Sequence, residues 1–309
     1  MNDGIPGVTV SLKELIKLRA KTVGLKISGR HKSFAGRSGG HVSVHRGRGL
    51  EFDEVRHYQA GDDVRTIDWR VTARRGRPHT KLFREERERP MLIVADLHPG
   101  MFFGTREQFK SVLVSRLAAL AAWTASRDGD LVGGVVASHD SCKVIYPRSR
   151  RAGVLHLLNE LVDRQPTRPL TATGDMLHES LLKLSRIAHP GSTVMVLSDF
   201  KGLTKDGERI LLNLSRRSEV LAGFIYDPME LTAPEVGNYR FGSASDQITV
   251  DTYSSSLRDS WRLTFLRRLN KVVELSKRSS LAIIEASTTM EAQSIFTRRF
   301  PGPAGRPSA

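Results

Sequence analysis

From residue 90 onward the chain alternates between short, unbroken apolar runs and longer stretches with helical periodicity. Unbroken apolar runs are typical of strands buried on both faces, as in a parallel sheet covered by helices. Each run has the length of an ordinary strand. The predicted strands are Met91–Ala95, Leu131–Ala137, Lys143–Tyr146, Thr193–Leu197, Val220–Tyr226 and Leu281–Ala286, with Lys143–Tyr146 as an antiparallel edge strand. We therefore expect an α/β fold with a doubly wound, mainly parallel sheet over residues 90–297.

The stretches between these runs have apolar residues at helical spacing or begin with a residue that can cap a helix. Asp175 is such a residue, because its carboxylate can accept from the free backbone donors of a first turn. The predicted helices are Ser11–Lys21, Glu107–Arg127, Gly153–Val162, Asp175–Ala188, Glu208–Arg217 and Ser256–Lys277. A small β insertion is expected at Tyr239–Phe241 and Gln247–Asp251.

Charge is concentrated towards the N-terminus. The chain carries 48 basic and 33 acidic side chains, a formal charge of +15. Residues 1–89 hold 20 of the basic and 11 of the acidic side chains, a net +9. Within them, residues 30–49 are rich in Gly, Ser, His and Arg, which predicts an exposed loop. We expect a charged N-terminal module over residues 1–89, the α/β domain over residues 90–297 and a disordered Pro/Gly-rich tail over residues 298–309.

Apolar length and cysteine content exclude several classes of protein. The longest apolar runs, Met91–Ala95 and Leu117–Trp123, are far shorter than the ~20 residues that a membrane-spanning helix needs. The N-terminus lacks the basic and apolar segments of a secretory signal, so a cytoplasmic protein is expected. The single cysteine, Cys142, cannot form an intrachain disulfide or a Cys-based metal site and is expected to pack as a structural thiol.

Two aspartates end predicted strands. Asp96 follows the first apolar run, and Asp199, preceded by Ser198, follows the run that begins at Thr193. Ligands of doubly wound sheets bind beyond the carboxyl ends of the strands, so both residues are candidates for a site. Neighbouring carboxylates repel unless a cation or other donors compensate them, which favours a hard-metal site. The alternative is that each aspartate only caps a helix or a turn.

A stretch of charged and aromatic residues resembles the bacterial domain of unknown function 58 family. The residues that carry the resemblance are Gly49-Leu-Glu-Phe-Asp-Glu-Val-Arg56, Tyr58-Gln-Ala-Gly-Asp-Asp63, Arg65, Ile67-Asp-Trp69, Ala73-Arg74 and Asp96 near Met101. The resemblance is densest over residues 47–104. It implies a von Willebrand factor A-like domain after a charged segment, in proteins typically encoded beside MoxR-type AAA+ ATPases and without an agreed biochemical activity.

The resemblance also implies a metal site, from which this sequence departs. The metal loop would have the pattern Asp-x-Ser-x-Ser, whereas Asp96 is followed by His98 and Gly100 at the serine positions. Thr173 is a candidate for a later threonine ligand, although alignment favours Gly174, and Asp199 matches the last element. Asp96, Asp199 and Thr173 thus form a degenerate site, at which Mg²⁺ is possible but expected to bind weakly.

The N-terminal signature contains closely spaced opposite charges. Asp62 or Asp63 could cap a short helix that ends at Gly76, with Trp69 as a packing anchor. Arg70 and Arg74 lie four residues apart on one face of that helix, beside the Asp62, Asp63 and Asp68 carboxylates. The five charged residues could bind a partner protein, or they could form an internal clamp between the two parts of the chain.

These features together predict a cytoplasmic interaction protein without a catalytic centre. The expected partners are a MoxR-type AAA+ ATPase and an unidentified client protein. One alternative is nucleic-acid binding through the basic N-terminal segment, although its Gly/Arg-rich loop at residues 30–49 lacks a series of interleaved aromatic residues for base stacking. A second alternative is a divalent-metal hydrolase using Asp96 and Asp199, although no general base or nucleophile is evident beside them in the sequence.

Overall fold

The computed structural model describes residues 4–27, 50–59, 62, 64–85, 89–169, 174–243 and 246–299. They fall into two compact units. The larger unit comprises the described residues of 1–30 and 89–309, and the smaller unit those of 31–88. The predicted loop at residues 30–49 lies outside the described residues.

The described residues form the following helices and strands in chain order. They are α1 (Leu12–Lys17), β1 (Leu50–His57), α2 (Trp69–Arg75), β2 (His79–Glu85), β3 (Pro90–Asp96), α3 (Lys110–Arg127), β4 (Leu131–Ala137), β5 (Cys142–Arg148), α4 (Arg150–Arg164), α5 (Met176–Ile187), β6 (Thr193–Ser198), α6 (Lys205–Ser215), β7 (Glu219–Tyr226), α7 (Pro228–Leu231), β8 (Asn238–Ser243), β9 (Asp246–Asp251), α8 (Ser255–Lys277), β10 (Ala282–Ser287) and α9 (Ala292–Arg299).

The larger unit is built on a six-stranded sheet of order β10-β7-β6-β3-β4-β5. Only the edge strand β5 runs antiparallel to its neighbour, as the sequence predicts. Counted along the chain, the six strands have the order 3-2-1-4-5-6 that is usual for doubly wound sheets. The predicted α/β fold, with its doubly wound and mainly parallel sheet, is therefore confirmed.

Side chains of the central strands alternate between two apolar cores. In β3, Met91, Ile93 and Ala95 belong to the core that includes residues of α3, α4 and α9. Leu92 and Val94 belong to the opposite core, with residues of α5, α6 and α8. Because β3 is buried on both faces, its sequence is apolar without interruption.

The first helix packs in the larger unit, so the predicted module over residues 1–89 is divided. Ser11 caps α1 as expected, by accepting from the backbone N of Glu14 at 3.2 Å. Leu15 is completely buried, and its carbonyl accepts from Trp123 Nε1 of α3 at 3.0 Å. Apolar burial against α3 thus joins α1 to the larger unit, which the charge count could not indicate.

The smaller unit is an antiparallel pair, β1 and β2, with α2 in the connection between them. Asp68 caps α2 by accepting from two backbone N–H groups, and Gly76 ends it with a φ of 69°. The predicted caps, Asp62 and Asp63, are therefore wrong, although the predicted end is right. Trp69 is 68% exposed and is not a packing anchor.

Helix boundaries in the larger unit differ from the predictions by a few residues. The N-cap of α8 is Ser254, whose hydroxyl accepts from the backbone N of Leu257, and not Ser256. The helix α9 extends through Arg299, so the first two residues of the predicted tail are helical. Residues 300–309 lie outside the described part. Within the described ranges, no helix combines the length and apolar character needed to cross a bilayer.

Gly134 in β4 permits the closest approach within the sheet. Its φ is 153°, and a Cβ atom built there would lie 1.9 Å from the carbonyl oxygen of Ile93 in the neighbouring strand. We predict that Gly134→Ala lowers the free energy of unfolding by about 3 kcal/mol, because β3 and β4 must separate. Chemical denaturation checks this value. Gly237→Ala is the control, because the atom nearest to its added Cβ would be in the Tyr239 ring, at 3.4 Å. An equal loss of stability in both variants would contradict the account.

Candidate functional site

Three aspartates lie at the carboxyl edge of the parallel sheet. Asp96 ends β3, Asp199 follows β6 and Asp227 follows β7, and these strands are adjacent in the sheet. All three residues are at most 1% exposed. The sequence identified the first two as strand-end carboxylates and missed the third. Buried carboxylates in such a row need compensating donors or cations.

Asp96 is compensated mainly by neutral donors. Its Oδ2 accepts from the hydroxyl of Ser198 at 2.6 Å. Its Oδ1 accepts from the backbone N of His98 at 3.2 Å, and from His98 Nδ1 at 3.0 Å. Because a carboxylate only accepts, the proton of this imidazole lies on Nδ1. His98 thus closes one side of the carboxylate instead of leaving it open.

Asp199 is compensated by cations. Lys110 Nζ lies 2.8 Å from its Oδ2, and the backbone N of Lys201 donates to its Oδ1 at 3.0 Å. Arg268 Nη1 and His98 Nε2 lie further away, at 3.8 Å and 3.9 Å. The carboxylate is therefore surrounded by positively charged or donating groups on several sides.

Lys110, in the first turn of α3, is the central cation of this site. Its side chain is 3% exposed, and its Nζ lies 2.5 Å from Glu230 Oε1 as well as contacting Asp199. Glu230 also pairs with Arg268, whose guanidinium lies 5.5 Å from the ring centroids of both Phe224 and Phe265. We call Asp96, His98, Lys110, Asp199, Glu230 and Arg268 the edge cluster.

The edge cluster stabilises the charged forms of Asp199, Lys110 and His98. Burial opposes charge on Asp199, but Lys110, His98 and Arg268 outweigh it and hold the pKa of the carboxyl well below its usual range. Burial also opposes charge on Lys110, yet Asp199 and Glu230 raise its pKa. For His98, the hydrogen bond to Asp96 and nearby carboxylates outweigh burial and raise the pKa. With His98 protonated, three cations face three carboxylates.

The donor set does not fit a bound Mg²⁺ ion. The carboxylates of Asp96 and Asp199 already contact Ser198, His98 and Lys110. At the expected second serine position, a Cβ on Gly100 would lie 2.6 Å from His98 Nε2, so the imidazole fills that space. Among the residues that the structure describes, no group of three or more His, Cys, Asp or Glu side chains is arranged to hold a metal. Thr173, the third predicted ligand, lies outside the described residues.

One feature of the sequence indicates the buried cation of this site. Lys110 lies on the same face of α3 as Leu113, Val114 and Leu117, which are all buried. A lysine in such an apolar stripe needs a buried partner, because burying an isolated charge is costly. Glu230 lies in the 4-residue helix α7, and Arg268 lies in α8, where most residues are polar. No apolar pattern therefore marks either residue in the sequence.

Asp227 forms a separate network beside the edge cluster. Its Oδ1 accepts from Thr105 Oγ1 at 2.6 Å and from the backbone N of Met229 at 2.9 Å. Its Oδ2 accepts from the backbone N of Thr105 at 2.9 Å and from Thr288 Oγ1 at 2.6 Å. Burial acts to raise its pKa, but these hydrogen bonds outweigh burial and the pKa is lowered. The carboxylate thereby ties the loop before α3 to the ends of β7 and β10.

A polar cavity of about 560 Å³ lies near the edge and is lined in part by Ser138, His139 and Asp140. Ser138 Oγ lies 3.2 Å from His139 Nδ1, and Asp140 Oδ1 lies 3.6 Å from the same nitrogen. A nucleophile relay needs the serine on one ring nitrogen and the acid on the other. These residues therefore lack the geometry of a catalytic triad.

Cys142 is buried and unoxidised. Its Sγ lies 3.3 Å from the Ser180 hydroxyl, and burial raises the pKa of the thiol. A raised pKa disfavours the thiolate, which is the nucleophilic form. These contacts agree with the packing role expected from the sequence.

Four of the five predicted partner-binding residues are described, and these four do not form one cluster in the smaller unit. Asp62 accepts from Arg56 at 2.7 Å and from the backbone N of Gln59 at 2.9 Å, while Asp68 caps α2. Arg70 and Arg74 are exposed, and the described residues provide neither with an ion-pair partner. Asp63 lies outside the described residues. Asp62 and Asp68 are thus engaged within the smaller unit, and the two arginines are exposed.

Comparisons with known proteins identify the family. The chain belongs to the family described as protein of unknown function DUF58, whose model matches residues 54–269. Uncharacterized proteins from Mycobacterium tuberculosis and Mycobacterium bovis are 30% identical over 244 residues, which cover 79% of this chain and 76% of theirs.

The chain is also similar to solved structures at low sequence identity. The conserved hypothetical protein BatB from Bacteroides thetaiotaomicron gives a TM-score of 0.40 at 15% identity, covering 68% of this chain and 96% of its own. The SpRpn10 VWA domain gives a TM-score of 0.36 at 12% identity, covering 72% and 100%.

The network at Asp227 generates a prediction about acid stability. Its pKa is lowered on folding from an unfolded value near 3.9, so its stabilisation is complete above that pH and is lost as the pH falls through the lower folded value. Asp227→Asn should lower the free energy of unfolding at pH 7 by roughly 1–3 kcal/mol per donor left without an acceptor. The difference from wild type should shrink below about pH 4.

Denaturant unfolding at neutral and acidic pH measures both effects. Asp206→Asn is the matched control, because that carboxylate is 67% exposed. A loss in Asp227→Asn that is the same at both pH values would show that the charge of Asp227 is not the source of its stabilisation.

Proposed function

We propose that this chain is a non-enzymatic cytoplasmic adaptor that binds a MoxR-type AAA+ ATPase and a client protein. The observation that carries the proposal is one exposed side of α2. Trp69, Arg70, Ala73 and Arg74 fall within one half of this helix and are all exposed. We call these four residues the α2 face.

The α2 face has the chemistry of a protein interface. Arginine makes paired, charge-assisted hydrogen bonds to carboxylates, and tryptophan and arginine are enriched among residues that dominate binding energy. Because Trp69 is 68% exposed, its indole is accessible to a partner. The face therefore fits an acidic partner surface with an apolar recess. The ATPase is proposed as that partner because the resemblance to the DUF58 family implies it.

The edge cluster supports a role without catalysis. Its carboxylates are paired with internal cations, and Lys110 and Asp199 are almost fully buried. A general base must reach the proton that it removes, and a hydrolytic metal site needs open coordination positions. The cluster has the character of a structural network, which disfavours the metal-hydrolase alternative.

Nucleic-acid binding is the second candidate, and Trp69 favours it. The Gly/Arg-rich loop at residues 30–49 lacks a series of interleaved aromatic residues for stacking, but α2 of the same basic segment carries an exposed tryptophan beside two exposed arginines. Binding through phosphate contacts should weaken steeply between about 50 and 200 mM salt.

The adaptor proposal predicts a separation of affinity from stability. Arg70→Ala combined with Arg74→Ala should weaken binding to the neighbouring-gene AAA+ ATPase by about 2–5 kcal/mol, because charge-assisted bonds are lost from a desolvated contact. The melting temperature should barely change, since both arginines are exposed. Calorimetric titration and thermal unfolding of the same samples measure the two quantities.

The control removes the same charge elsewhere. Arg262→Ala combined with Arg267→Ala deletes two exposed arginines of α8 and should leave affinity unchanged. Unchanged affinity in the α2 variant rejects the interface. If the α2 variant instead loses tight binding to single-stranded oligonucleotides that wild type retains at about 200 mM salt, nucleic-acid binding becomes the preferred function.

A further inference from the structure

The position of Lys110 in the edge cluster has a consequence beyond the proposed function. Its ammonium lies 2.8 Å from Asp199 and 2.5 Å from Glu230, with a side chain that is 3% exposed. An ammonium is a compact point charge with three donors. It thus supplies, from within the chain, a positive charge to the buried carboxylate of Asp199 and the half-buried carboxylate of Glu230.

The surrounding groups make this cation permanent and inaccessible. Asp199 and Glu230 raise the pKa of Lys110, so the amine stays protonated throughout the neutral range. Arg268 pairs with Glu230 and lies near Asp199, which fixes both acids around the ammonium. At 3% exposure, the charge of Lys110 cannot be reached by an anion from solvent. The cation acts on the fold and not on an external ligand.

We infer that the Lys110 ammonium takes the place of a divalent metal at this sheet edge, so that the wild-type edge is stable without metal, whereas an edge without the ammonium becomes a divalent-cation site. The inference rests on Asp199 and Glu230 meeting one cation from different segments. Their oxygens are the ligands that Mg²⁺ and Mn²⁺ prefer, and truncation of the lysine would open space for an ion with its waters.

Two substitutions separate the charge of Lys110 from the space that it fills. Lys110→Ala removes the ammonium and opens space between Asp199 and Glu230. Lys110→Met removes the charge but keeps a chain of similar length, so little room is left for an ion. Lys143→Ala, an exposed lysine in β5, is the control for general loss of a positive charge.

The experiment is thermal unfolding of the full chain in chelator and in millimolar Mg²⁺ or Mn²⁺, with NaCl matched for ionic strength. Wild type and Lys143→Ala should melt at the same temperature in both conditions. Both Lys110 variants should melt lower in chelator, because the buried carboxylate of Asp199 and the half-buried carboxylate of Glu230 lose their shared cation. In Lys110→Ala alone, metal should raise the melting temperature by at least about 2 °C in a saturable manner.

If Lys110→Ala does not fold in chelator, its refolding yield with and without Mn²⁺ is the readout, and recovery only with Mn²⁺ supports the inference. Direct Mn²⁺ titration of wild type provides an independent measurement. Micromolar binding to wild type that disappears in Asp199→Asn would overturn the inference. So would Lys110→Ala that melts like wild type in chelator, or that gains nothing from either metal.

Discussion

The contact between Lys110 and Asp199 is the interaction on which the carboxyl edge of the parallel sheet depends. Parallel strands end at one side of a sheet, and three adjacent strands here end at buried aspartates. Such carboxylates are tolerated only with compensating groups. The first turn of α3 provides a buried ammonium for Asp199 and Glu230, while Ser198 and His98 compensate Asp96. The negative charges of these carboxylates are thus compensated by groups of the same chain.

Because the edge cluster is paired internally, we expect a partner to bind elsewhere on the chain. An edge filled by its own ion pairs presents few unsatisfied groups to a ligand, whereas the α2 face of the smaller unit presents Trp69, Arg70 and Arg74 to solvent. The division is physically reasonable, because a buried network gives structural specificity while exposed arginine and tryptophan give binding energy. The fold of the larger unit and the proposed binding role therefore rest on different residues.

The strands were predictable because burial on both faces leaves unbroken apolar runs, as in β4, whose predicted and observed bounds agree. Only part of the edge cluster was predictable from the sequence. Asp96 and Asp199 follow such runs, but Glu230 and Arg268 reach the cluster through tertiary packing that no local pattern records. The placement of α1 likewise depends on Leu15 packing against α3. The sequence predicts Trp69 as a packing anchor, whereas the short helix α2 has no buried residue.

The most direct measurement is a crystal structure of the wild-type protein grown with Mn²⁺ and recorded for anomalous scattering. The account predicts Lys110 Nζ in contact with Asp199 and Glu230, without an anomalous peak among the edge-cluster carboxylates. A peak bridging Asp96 and Asp199, with the ammonium of Lys110 displaced from them, would contradict the claim that this edge carries its own cation.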